Sequence, residues 1–179
     1  MTAPIKPQKK TANGKDTWWF VPTIAAAATP VVTEVNSASG LNFTCFLLAE
    51  QDGVSGSTAK ATLARLLCET GTQEVIDETT WSMSDVTGVF DPQAAADADG
   101  KKAWAKFKDG ATGYFVRRQG VVNSTSADVT TGQFVDVIPV EVGPATPGKT
   151  ATDSSGIYSF TCAVSVTSTP TFNVAVVAS

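Results

Sequence analysis

The chain has 179 residues, 17 acidic and 13 basic side chains, a net charge of −4 and no histidine. That length suits one domain with a real core, or one domain plus an arm, and a composition rich in Thr, Val, Ala and Ser points to strands rather than a helical bundle. Residues 1–16 hold four lysines and one aspartate, so the remainder carries about −7, which opposes nucleic-acid binding by phosphate neutralisation.

Residues 1–16 are polar, with Pro4, Pro7 and Gly14, and read as a flexible basic N-terminal arm ahead of a single domain over 17–179. The opening MTAPIKPQKK has no apolar signal core and no segment reaches 18 apolar residues, so a cytosolic site of synthesis and no membrane span are expected. Thr17-Trp18-Trp19-Phe20-Val21 is the first strand, ended by Pro22. Adjacent tryptophans point to opposite faces of a strand, so both faces need cover. Either the strand lies inside the domain or a partner subunit covers one side.

Val31–Ser37 suits a turn of helix. Leu41–Ala49 reads as a strand with Leu41, Phe43, Cys45, Leu47 and Ala49 on one face. A Gly/Ser-rich loop follows at Asp52–Ser57. Ala59–Cys68 is ambiguous, since Leu63, Leu66 and Leu67 would suit a helix; strand is the assignment. Gly71–Glu78 is polar and acidic. Trp81 and Met83 alternate with Ser82 and Ser84, the period of a half-buried strand.

Asp91-Pro92 should stop that region and cap the one amphipathic helix, within Ala94–Lys108 and firmest over Lys101–Lys108, because Gly100 weakens its first half. Its apolar positions are Ala96, Ala103, Trp104 and Phe107, and its lysines crowd the C-terminal end, where the helix dipole favours them. Asp109-Gly110 ends it and Tyr114-Phe115-Val116 starts a strand. After a polar loop at 121–132, Gln133–Val142 is a strand apolar on both faces. Pro139 inside it argues for an edge or a bulge. Gly143–Gly156 is a loop. Ile157–Thr167 alternates cleanly, with Tyr158, Phe160, Cys162, Val164 and Val166 on one face, and Phe172–Ala178 closes the chain. Seven or eight strands and one flanking helix predict a mainly β protein, a β-sandwich or barrel.

Motifs with chemistry fail on context. Gly143-Pro-Ala-Thr-Pro-Gly148-Lys149-Thr150 spells a phosphate-binding loop, but Pro144 and Pro147 remove two N–H donors and a strand follows where the helix should begin. Around Asp97 and Asp99 a calcium loop would need ligands where Ala95 and Lys106 stand. Asn42 and Asn123 fit glycosylation acceptors without a secretion signal, and Asp52–Ser57 is a near miss to a nucleophile elbow with no histidine to serve it. Cys45, Cys68 and Cys162 are odd in number and lack paired spacing, which suggests neither a disulfide framework nor a zinc site. No catalytic, metal or cofactor-binding residue is expected, and the protein is expected not to be an enzyme.

Several segments in order and spacing resemble a known family: Thr17-Trp18-Trp19-Phe20-Val21-Pro22-Thr23-Ile24-Ala25, Val31–Asn36, Leu41–Phe46, Phe90-Asp91-Pro92-Gln93, Phe107–Arg118, Gly132–Val140 and Asn173–Ala178. Together they resemble the major tail tube protein of long-tailed phages, in particular those infecting actinobacteria. The resemblance implies a β-sandwich with a flanking helix that self-assembles into hexameric rings, stacked as a hollow conduit for DNA delivery. It implies a structural virion protein without cofactor or metal, assembled in the host cytoplasm. Its partners would be copies of itself and other tail proteins (tape measure, terminator, distal tail), with DNA passing unbound. Lys6, Lys9 and Lys10 of the arm, with Trp18 and Trp19, are the expected subunit contacts. From Leu66 to Gly100 there are eight acids and no base; Glu74, Asp77 and Glu78 among them are expected to face the lumen, where a basic wall would hold DNA. The rival reading is a monomeric β-sandwich binding module, such as a capsid decoration or surface adhesion domain, which needs no ring-forming surface.

Overall fold

A computed structural model describes residues 11–12, 14–48, 53–68, 70–95, 98–122, 128–152 and 155–179. It is mainly β. The strands are β1 (Asp16–Val21), β2 (Leu41–Asn42), β3 (Val54–Thr62), β4 (Glu74–Met83), β5 (Val86–Val89), β6 (Ala111–Gln119), β7 (Phe134–Val142), β8 (Thr146–Lys149), β9 (Tyr158–Cys162), β10 (Val164–Val166) and β11 (Thr171–Ala175). Two helices, α1 (Val32–Val35) and α2 (Asp99–Lys106), accompany them.

The six-stranded sheet runs β10–β7–β6–β1–β2, with β11 also on β7, and a three-stranded sheet runs β5–β9–β8. Register explains how the two sheets enclose a core. Phe20, Phe115 and Ile138 lie opposite one another across β1, β6 and β7, and Trp19, Val116 and Val137 form the next row. Successive side chains point to opposite faces, so the two rows serve two cores. The first core joins Trp18, Phe20, Phe43 and Phe115 to Val86, Phe160 and Cys162 of the smaller sheet, to Ala103 of α2 and to Phe107 at its end. The second, on the far face, gathers Trp19, Val21, Val116, Val135 and Val137 under Ile24, Val35, Val129 and Val176. Both tryptophans are therefore covered by their own chain, at 2% and 3% exposure.

Pro139 does not mark an edge. Strand β7 is central, with β6 on one side and β10 and β11 on the other. A strand residue's N–H and C=O point the same way, and the Pro139 carbonyl accepts from Thr167 N–H. The missing donor thus falls where the chain passes from β10 to β11, and the ladder to β6 loses nothing. Between Thr171 and Val174, β11 carries two residues opposite Asp136 alone. The Asp136 carboxylate accepts from Asn173 N–H at 2.8 Å, and Asn173 has φ 52°. This bulge turns Phe172 toward Trp81 of β4, ring centroids 5.6 Å apart.

Other expectations need correction. The strand over Leu41–Ala49 shrinks to β2, because Thr44–Phe46 turns as a 3₁₀ helix that carries Phe43 into the first core. Asp91 caps a local turn, accepting from Gln93 N–H, and not the helix, which starts at Asp99. Gly100 has a positive use: a Cβ there would stand 3.0 Å from the Asp91 Cβ, where the two segments cross. Ile157–Thr167 divides at Ala163 into β9 and β10, which join different sheets. The loop at Gly143–Gly156 contributes β8. The Gly/Ser-rich loop at Asp52–Ser57 is mostly the start of β3, and no strand continues through Leu63–Cys68.

Candidate assembly surfaces

Among the described residues, strands β3 and β4 pair only with each other. At the base, Trp81 and Met83 tie this hairpin to the body, and Gly56 lies opposite Trp81. A Cβ on Gly56 would meet the indole at 2.7 Å, so only glycine lets the ring lie across β3 toward Phe172. Away from the base the hairpin is bare. A second bulge opposes Asp77 and Glu78 to Ala59, and β4 from Glu74 to Thr80 is exposed throughout. At the tip Leu63, Leu66 and Leu67 are 46%, 64% and 104% exposed, with Val75 and Ile76 beside them. An exposed apolar cluster of this kind marks a surface made to be covered.

The acids expected at the lumen all lie on this hairpin. Glu74 pairs with Lys60 at 3.6 Å, both well exposed, whereas Asp77 and Glu78 make no ion pair among the described residues. Lys6, Lys9 and Lys10 lie outside the described residues. Trp18 and Trp19 reach a partner only through what covers them. Arg117 stands over the Trp18 ring at 5.2 Å and pairs with Asp16; Arg118 stands over Trp19 at 5.1 Å. Arg118 is fully buried and donates to the Asp128 carbonyl, Gln133 Oε1 and Thr17 Oγ1. Burial lowers its guanidinium pKa and the nearby Asp128 works against that.

A second surface lies beside α2. Trp104, Ala105, Phe107, Pro144 and Ala145 line an open apolar groove of about 260 Å³ rimmed by Lys108 and Asp109. Lys101 spans the Phe90 and Trp104 rings, Lys102 pairs with Asp99 at 2.8 Å, and Lys106 donates to the Ser39 carbonyl. Sequence reasoning missed both the leucine tip and the groove. The signal for the tip was present in Leu63, Leu66 and Leu67, which fit neither period cleanly.

The phosphate-loop spelling has no matching geometry. Thr146–Lys149 is a strand paired with β9, Lys149 sits over the Tyr158 ring at 5.0 Å, and Thr150 N–H bonds the Ile157 carbonyl, so no helix N-terminus follows. Asp97 lies outside the described residues, and Asp99 is engaged by Lys102. Among the described residues no group of three or more His, Cys, Asp or Glu side chains could hold a metal ion, and no helix is long and apolar enough to cross a membrane.

No curated protein matches the chain. A model of the family described as phage tail tube protein matches residues 3–179, the whole sandwich and its hairpin. With the match extending over nearly the entire length, the chain belongs to the phage tail tube protein family.

Proposed function

We propose that this chain is the major tail tube subunit of a long-tailed phage of the actinobacteriophage type, closing into rings of six that stack into the conduit for DNA. Family membership implies the virion tail and other tail subunits as neighbours. The observation that carries the reading is the hairpin, which stands off a well-filled sandwich with its leucines bare. In a monomeric decoration or adhesion module that tip is an aggregation liability; in a polymer of this chain it is an interface. Cyclic closure makes rings, and stacking extends them.

Within such a tube Asp77 and Glu78 face the bore, where a six-fold ring repeats each free carboxylate and keeps DNA from being held. The arm's Lys6, Lys9 and Lys10 meet a neighbour's acidic surface, so deleting residues 2–14 should slow tube growth and leave the monomer folded. Assembly proteins (tape measure, terminator, distal tail) bound the tube's length and ends. Sedimentation velocity across a concentration series tests the proposal. Large discrete species growing with concentration support it, and a single monomer boundary at every concentration refutes it.

A further inference from the structure

We infer that the proline segment of one copy's arm, Pro4-Ile5-Lys6-Pro7, docks in the groove beside α2 of a second copy. The inference rests on the reading of the chain as a self-assembling tube subunit, and it names a surface and its occupant. Prolines three residues apart favour the polyproline conformation, in which both rings fall on one side. Such segments seat against aromatic walls at small entropic cost. The groove offers that wall: Trp104, Phe107, Pro144 and Ala145 line an apolar concavity of about 260 Å³. The Trp104 indole N–H is buried and meets no acceptor among the described residues. A backbone carbonyl of the seated segment supplies one when the ring edge turns outward to it.

Charge selects the groove, and reach decides whose groove it is. Asp109 stands on the rim. Asp85 acts with it on the Cys162 thiol, whose Sγ donates to the Gly143 carbonyl next to Pro144. Neither carboxylate makes an ion pair among the described residues. Lys6, between the prolines, meets Asp109, and Lys9 and Lys10 follow toward Asp85. Asp16, where the arm joins β1, lies opposite Gln119, whereas the groove begins beyond Ala111 at the other end of β6. About 27 Å of strand separates Gln119 from Ala111. Lys15 N–H bonds the Ala12 carbonyl and closes a turn, so an arm drawn straight carries Pro7 no further than about 29 Å from Asp16. It stops level with Ala111, and the two prolines cannot both be seated in their own groove. An arm at one end of the sheet and its receptor at the other make a head-to-tail contact, which propagates from copy to copy.

A peptide of residues 1–11, titrated into the full chain carrying Pro4→Ala and Pro7→Ala below its assembly concentration, tests the groove apart from the tube. Tryptophan fluorescence should change saturably, with a Kd below about 1 mM. Alanine for both prolines in the peptide, or Asp109→Lys in the chain, should weaken binding at least fivefold. No saturable change, or equal binding by the alanine peptide, overturns the inference. A crosslink tests whose arm is bound. In a Cys45→Ser, Cys68→Ser background, one full-length chain carries both Ile5→Cys and Ala105→Cys. Oxidised under assembly conditions, it should give a ladder of disulfide-linked multimers, at least tenfold fainter when Pro4→Ala and Pro7→Ala are added. A disulfide closed within one chain, or no ladder while tubes form, defeats docking on a second copy and leaves the tube reading standing. A chain that binds the peptide yet never assembles keeps the groove's ligand and defeats the tube reading.

Discussion

Phe115 is the keystone of the first core, and truncating it offers a quantitative test of the packing. Its ring is fully buried, with Phe43, Phe20, Phe107 and Trp18 centroids at 5.1, 5.7, 5.9 and 6.4 Å. Those four rings come from three separate parts of the chain: Phe43 from the 3₁₀ turn, Trp18 and Phe20 from β1, and Phe107 from the end of α2. None can collapse into the space without dragging its own segment. Phe115→Ala should therefore cost about 3–5 kcal/mol, the range for large aromatic truncations that leave a cavity. Against a typical total of about 5–15 kcal/mol this is roughly a fifth or more of the stability. At about 2–4 °C per kcal/mol for a chain of this size, the melting temperature should fall by about 6–20 °C. Phe115→Leu keeps most of the volume but loses the ring-edge geometry, worth about 0.5–1.5 kcal/mol per aromatic pair, and should fall between the two. Thermal melts and urea titrations of unassembled protein read both variants, with Leu67→Ala as an exposed control expected to stay within about 0.5 kcal/mol of wild type. A Phe115→Ala protein melting within about 2 °C of wild type would refute the account of this core.

Cys162 is buried while Cys45 and Cys68 are exposed. Burial, aided by Asp85 and Asp109, pushes the Cys162 thiol up to about 11 from an ordinary 9.0, so a thiol reagent at neutral pH should label two cysteines in the native chain and three in denaturant. Because the folded chain holds that proton where the unfolded chain releases it, the contribution is full below pH 9 and is lost as pH rises toward 11; a rise in urea midpoint over that interval in wild type, absent in Cys162→Ala, would contradict it. Gly56→Val should drive the Trp81 ring off Phe172, lowering indole fluorescence anisotropy and weakening assembly more than folding; unchanged tubes would count against the hairpin's anchoring. Asp77→Lys with Glu78→Lys should leave tubes intact but impair genome ejection, most at low salt; normal ejection would remove these residues from the bore.

The alternation in Tyr158–Val166 and the double-faced apolar runs at Trp18–Val21 and Val135–Val140 made the β class and the covered sheet readable, because burial on two faces writes itself directly into residue type. Less readable were the places where local signals had tertiary causes. Pro139 looks like an edge until β10 and β11 are seen to divide one side of β7 between them. Gly100 and Gly56 look like weak points and are close approaches. Leu41–Ala49 has the period of a strand, yet Phe43 enters the core only by leaving the strand for a 3₁₀ turn. The leucines at 63, 66 and 67 were the hardest, since apolar residues in a sequence imply burial, and here all three are exposed among the described residues.

Negative-stain electron microscopy of the purified full-length chain, imaged over a range of concentrations, tests the central claim most directly. The account predicts hollow tubes of uniform diameter built from stacked rings, with isolated rings at lower concentration. Fields of dispersed monomers at the highest concentration, with no rings and no tubes, would contradict it and favour the monomeric binding module.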